Sequence, residues 1–238
     1  MYRALDPSAI LATCQILSRR ITERFPGSGL SRVSQELFHL AEESAAHVEA
    51  LRRPHWPTRV GVILGLLLIV GISVGFIASF RVPATVGGLS DLLQGLEAAV
   101  NDVVFLGIAI YFLLTVENRL KRRWALRSLH ELRSIAHVID MHQLTKDPEL
   151  LLSPAMATPS SPQRTMTRFE LSRYLDYCSE MLSITSKLAA LYVQHLEDGL
   201  VLSAVNDIQS LAGSLSAKIW QKIVILDSFA VRETTSAQ

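Results

Sequence analysis

An uncharged run of 21 residues, Val60 to Phe80, bracketed by Arg59 and Arg81, constrains this chain more than any other feature. As an α-helix rising about 1.5 Å per residue, it spans roughly 30 Å, the thickness of a bilayer's hydrocarbon core. Trp56 and Pro57 precede it, and a tryptophan at that place fits the interfacial aromatic belt. The run starts too late and is too long for a cleavable signal peptide.

A membrane helix needs a return, and Val103 to Val116 supplies the candidate. These 14 uncharged residues cover roughly 21 Å as a helix, too little alone. Extending the run outward brings in Asp102, Asn101 and Glu97, and extending it inward meets Glu117 and Arg119. The basic cluster that follows has the look of a membrane stop. The expectation is therefore a hairpin, with spans at residues 58–81 and 98–117 joined by an outer loop and amphipathic segment over 82–97. Only Arg81 is basic between the apolar runs, whereas Arg52, Arg53 and Arg59 precede the first and Arg119, Lys121, Arg122, Arg123 and Arg127 follow the second. Positive flanks stay cytoplasmic, which predicts both termini in the cytosol. With no signal or transit-like N-terminus, the expected location is a bacterial cytoplasmic membrane.

The rest of the chain reads as helix. Asp6-Pro7 is an N-cap with Pro at the first helical position, followed by Ile10, Cys14, Leu17 and Ile21 at helical spacing. Residues 26–29 break that pattern, and Ser31 is the expected cap of a second helix carrying Val33, Leu37, Leu40, Val48 and Leu51. Together these make an N-terminal helical segment over 1–57. No breaker separates Val116 from Leu144, so the second span is expected to continue as a juxtamembrane helix over 118–146, with Leu120, Trp124, Leu129, Leu132, Ile135 and Ile139 on its apolar face. Four prolines among Ser and Thr make 147–165 a linker. A helical hairpin over 166–230 follows. Thr167 and Glu170 form its capping box. Leu171, Leu175, Cys178, Leu182, Ala189, Tyr192 and Leu196 are one heptad-like stripe, Asp198-Gly199 the stop, and Val201, Val205, Ile208, Ala212, Leu215, Ile219 and Leu226 the second stripe. Residues 231–238 are expected as a disordered tail. The fold class that emerges is an all-α membrane protein, a two-helix transmembrane hairpin with a cytosolic helical bundle built from the N-terminal and C-terminal helices.

Composition narrows function mainly by exclusion. The chain is 49% apolar with mean hydropathy +0.29, and Lys+Arg, 23, nearly equals Asp+Glu, 22. Such a balance exerts no long-range pull on nucleic acid, and no aromatic platform accompanies the basic residues, so no nucleic-acid partner is expected. Two distant cysteines, Cys14 and Cys178, suit a reducing compartment and make no disulfide framework. Phosphate-loop, dinucleotide and zinc-protease motifs are absent, and no catalytic trio assembles, so neither enzyme activity nor a cofactor nor a metal is expected.

Four constellations remain. On a helix from Ser90, the residues Asp91, Gln94, Glu97, Asn101 and Asp102 share one side, opposite Leu92, Leu93, Leu96, Val100, Val103 and Val104. This polar stripe suits either an amphipathic segment on the outer membrane surface or the mouth of an oligomeric pore. Gly61 with Gly65, and Gly71 with Gly75, are small-residue pairs where helices can approach closely, within one hairpin or between copies. Arg119, Lys121, Arg122, Arg123 and Arg127 serve as a topology signal or as ligands for anionic lipid headgroups. His130, His137 and His142 cluster near Arg127, Glu131, Arg133 and Asp140, and read as a polar face rather than a metal site, while His39, His47, His55 and His195 add nothing. Segments 133–142 and 218–223 stand out in texture without matching a known chemistry.

The functional expectation is a membrane-anchored helical scaffold or interaction module, with the lipid bilayer, further copies of itself and a cytosolic protein as partners. The alternative is an oligomeric ion channel or membrane-disrupting effector gated by its cytosolic helices.

Overall fold

A computed structural model describes residues 4–52, 56–79, 89–148 and 166–236. The described residues are all-α, in six helices: α1 (Pro7–Arg24), α2 (Gly29–Arg52), α3 (Trp56–Ser79), α4 (Leu89–Leu144), α5 (Arg168–Val193) and α6 (Gly199–Ser236). The chain divides into one unit of Met1–Arg52 with Trp124–Gln238, and a second of Arg53–Arg123.

Local chemistry explains most of the helix ends. The Asp6 carboxylate accepts from the Ser8 amide at 2.9 Å, satisfying one of the orphan donors of α1, and Pro7 occupies a position that needs no donor. The Thr167–Glu170 capping box forms in both directions. Gly27 turns the chain between α1 and α2 at a φ of +68°, which glycine adopts without strain. Two expected boundaries move. Ser31 does not cap α2: the Ser28 hydroxyl accepts from the Ser31 amide at 3.1 Å, and Ser31 turns inward to the Thr22 hydroxyl at 2.9 Å. Asp198-Gly199 does not stop α5, which ends at Val193. Asp198 instead opens α6, its carboxylate accepting from the amides of Leu200 (3.0 Å) and Val201 (3.3 Å). Helix α6 continues to Ser236, past the position where the sequence suggested a tail.

In the first unit, α1, α2, α5, α6 and the later part of α4 contribute to a single hydrophobic cluster. Both heptad-like stripes are buried along their whole length, from Leu171 to Leu196 and from Val201 to Leu226. Phe25 sits edge-on to Tyr174 and Tyr177, with centroids 5.5 and 6.3 Å away, a geometry that aligns ring edge with ring face. Serines line the α1–α2 contact: Ser18 and Ser34 meet hydroxyl to hydroxyl at 3.2 Å while both are buried, so close approach leaves no orphan polar atom there. The expected apolar face of the juxtamembrane helix starts later than its sequence pattern implied. Leu120 and Trp124 are 40% and 48% exposed, and burial begins at Ala125.

The second unit holds α3 and the first part of α4. What the sequence divides into an amphipathic segment, a span and a juxtamembrane helix is, from Leu89 onward, one helix of 56 residues. Among the described residues, α4 is the one helix long and apolar enough to cross a membrane; no described residue of its apolar stretch is buried, and Val103, Phe105, Ile108 and Tyr111 are the most exposed. The stretch described for α3, Arg59–Gly71, falls short of that length. The expected linker lies outside the described residues from 149 to 165.

Candidate functional site

Among the described residues of the first unit, buried polar chemistry gathers at the last turn of α4. Ile139 and Gln143 lie one turn apart on its inward face, at 0% and 1% exposure, so a primary amide occupies a core position. Its Nε2 donates to the Asp140 carboxylate at 2.6 Å, and its buried Oε1 accepts no hydrogen bond among the described residues. A helix end leaves its final carbonyls without partners. Lys222 of α6 supplies one, donating from Nζ to the Gln143 carbonyl at 2.8 Å, and the Lys146 amide donates to the same oxygen at 3.0 Å. A cation there also meets the negative end of the helix dipole.

Two more helices grip this turn. The Lys146 ammonium lies 5.2 Å above the Tyr174 ring of α5, a cation–π distance. The His142 ring lies against Gly29 at the start of α2, so closely that a Cβ on Gly29 would collide with it. The electrostatics follow from this crowding. Burial, then the charges of Arg32 and Lys146, hold His142 below its ordinary imidazole value. Burial lowers Lys222 as well, opposed by Asp147 and Asp140. Burial also pushes the Cys178 thiol up to about 12, leaving it a small inert hydrophobe rather than a nucleophile.

A second polar group lies along the same helices. Tyr192 is fully buried, its hydroxyl facing those of Ser44 and Ser128 without an aligned hydrogen bond. His47 Nδ1 meets the Ser128 hydroxyl at 3.1 Å. A Ser–His pair invites comparison with a nucleophile and its base, but Ser128 is 6% exposed and packed between helices, out of reach of a substrate carbonyl. The group acts as polar mortar among α2, α4 and α5. His47 looked idle in the sequence because its partners come from residues far along the chain. Lys222, within the segment 218–223 that was distinct in sequence but unassigned, reaches Gln143, the residue directly after the other such segment, 133–142.

The sequence-derived candidates fare unevenly. Of the polar stripe, Glu97 and Asn101 are exposed on α4, whereas the side chains of Asp91, Gln94 and Asp102 lie outside the described residues. Among the glycines, Gly65 faces Leu113, where an added Cβ would come within 3.3 Å of a leucine methyl. A Cβ at Gly61, Gly71 or Gly75 would meet nothing within 4 Å. The basic set is largely engaged in its own unit or helix: Lys121 pairs with Glu117 at 3.0 Å, Arg119 covers the Phe112 ring at 5.3 Å, and Arg127 meets Glu131 at 3.7 Å. Arg123 is exposed and Arg122 half-buried. His130 and His137 are exposed, and no cluster of three metal-ligating side chains occurs among the described residues.

One open groove, of about 510 Å³, runs between α5 and α6, with Trp220 on its rim at 64% exposure. Its carboxylates Asp176 and Glu180 are paired to Arg173 (2.9 Å) and Arg20 (3.6 Å), so it offers shape more than charge.

No family model, curated protein or solved structure matches this chain.

Proposed function

We propose that the chain is a membrane-anchored helical interaction module. In this reading α3 and the apolar part of α4 are the two spans of a hairpin, both termini are cytosolic, and the first unit presents helical surfaces to a protein partner. One observation carries it: α4 is a single helix bearing both an apolar stretch from Val103 in which no described residue is buried and core positions from Ala125 to Gln143 that are at most 6% exposed. Exposed valine, phenylalanine and isoleucine on a long helix are costly in water and favourable in lipid. Exposed Met141, Leu144 and Trp220 give the first unit large apolar side chains that a protein partner could cover.

The channel alternative draws on Glu97 and Asn101, both exposed on α4. Reconstituting the full chain in sealed vesicles separates the two. The module reading predicts protein that stays in the membrane through carbonate extraction, in vesicles no leakier to monovalent cations than protein-free ones. A cation leak removed by joint Glu97→Ala and Asp102→Ala substitution would overturn it in favour of the pore.

A further inference from the structure

Lipid gives two apolar helices no hydrophobic reason to associate, so whatever holds α3 against α4 has to be found in packing or polar contacts. Among the described glycines one makes such a contact. Gly65 meets Leu113, but Gly61 and Gly71 look onto open space. A second contact among the described residues is ionic. Arg59, three residues into α3, donates from Nε to the Glu117 carboxylate at 3.2 Å, and Lys121, one turn beyond Glu117, holds the other carboxylate oxygen at 3.0 Å. The two α4 members are mostly shielded, at 18% and 14% side-chain exposure, while Arg59 stays 57% exposed.

The geometry points to Arg59–Glu117–Lys121 as an ionic lock that fixes the register of the α3–α4 hairpin within one chain. Lys121 is its positioning residue. A glutamate four residues before a lysine is the favourable helical order, and the pairing aims the carboxylate at α3. These two inter-helix contacts agree on one antiparallel register, since 65 pairs with 113 and 59 with 117. Slipping α3 by a turn would move the guanidinium by about 5.4 Å and take one cation away from a shielded carboxylate. Removing a partner from a shielded pair costs more than the pair contributes, which is what makes such a group a good arbiter of register. Lys121 and Arg59 thus do more than mark topology. The inference concerns α3–α4 pairing alone and does not depend on what the first unit binds.

Oxidative cross-linking tests it in the full-length protein carrying Gly65→Cys and Leu113→Cys. These positions face each other, and their replacement also removes the small-residue contact described above. Cys14 and Cys178 are buried and do not compete. The lock predicts efficient cross-linking within one chain, a fall of roughly fivefold with Glu117→Gln or Arg59→Glu, and near-parental yield with Arg59→Lys. Reversing all three charges (Arg59→Glu, Glu117→Arg, Lys121→Glu) restores the cross-link. Parental yield in Glu117→Gln and Arg59→Glu, or no recovery in the triple reversal, overturns the lock. Fractionating the same samples reports separately on anchoring: an intact cross-link in the soluble fraction would sink the membrane reading and leave the lock standing.

Discussion

Gly29 and His142 show how much of this molecule is decided by single side chains. An imidazole pressed onto a glycine at a helix start, with Arg32 and Lys146 close by, is easier to keep neutral than charged. The folded chain therefore binds a proton at His142 less readily than the unfolded chain does. Above the ordinary histidine value of 6.5 neither state is protonated and His142 contributes no pH dependence; below it the unfolded chain takes the proton first and the fold loses stability. The melting temperature of the detergent-solubilised protein should be flat on this account above neutrality and fall as the pH drops toward 5. His142→Gln should flatten that fall, and an unchanged slope in the variant would place the pH sensitivity elsewhere. None of this was legible in the sequence. In the sequence His142 is grouped with His130 and His137 as a polar face, and the reason it differs from them is Gly29, more than a hundred residues earlier.

Among the elements, α4 departs furthest from its expected form. The amphipathic segment, the second span and the juxtamembrane helix are three stretches of composition and one stretch of backbone, because nothing between Leu89 and Leu144 interrupts the hydrogen-bond ladder. Caps followed from sequence where their chemistry is local, as at Asp6 and at Thr167 with Glu170. They misled where one residue type serves two purposes: Asp198-Gly199 punctuates either way, and only the backbone shows that it begins α6. The terminal turn of α4 was harder still, since Lys222 finds the Gln143 carbonyl from 79 residues away. That contact makes a prediction at the scale of the element. Lys222→Met keeps the aliphatic stem but removes the donor, and should cost about 1–3 kcal/mol while raising amide exchange chiefly in the last turn of α4. Equal loss of protection throughout the unit would mean that Lys222 supports the whole core rather than this helix end.

At the scale of the molecule, the all-helical character and the buried stripes were readable because periodicity and burial are one fact seen from two sides: a residue every three or four positions must face something apolar. The polar groups inside the core, Tyr192 beside Ser44 and Ser128, His47 with Ser128, and the Gln143 carbonyl with Lys222, were not readable, because pairing between distant helices leaves no periodic trace. The anchoring claim rests on exposure as much as on sequence. Val103, Phe105, Ile108 and Phe112 are all more than half exposed, which suits a lipid solvent. Cys14 and Cys178, buried with thiols pushed up to about 12, should be silent toward maleimides in the folded protein, so a single introduced cysteine reports without background. Labelling intact cells with a membrane-impermeant maleimide should therefore modify Thr85→Cys, between the two apolar runs, and spare Ala4→Cys and Ser236→Cys until the membrane is permeabilised. Equal labelling of all three before permeabilisation, or labelling of the termini alone, would contradict a hairpin anchored with both ends in the cytosol.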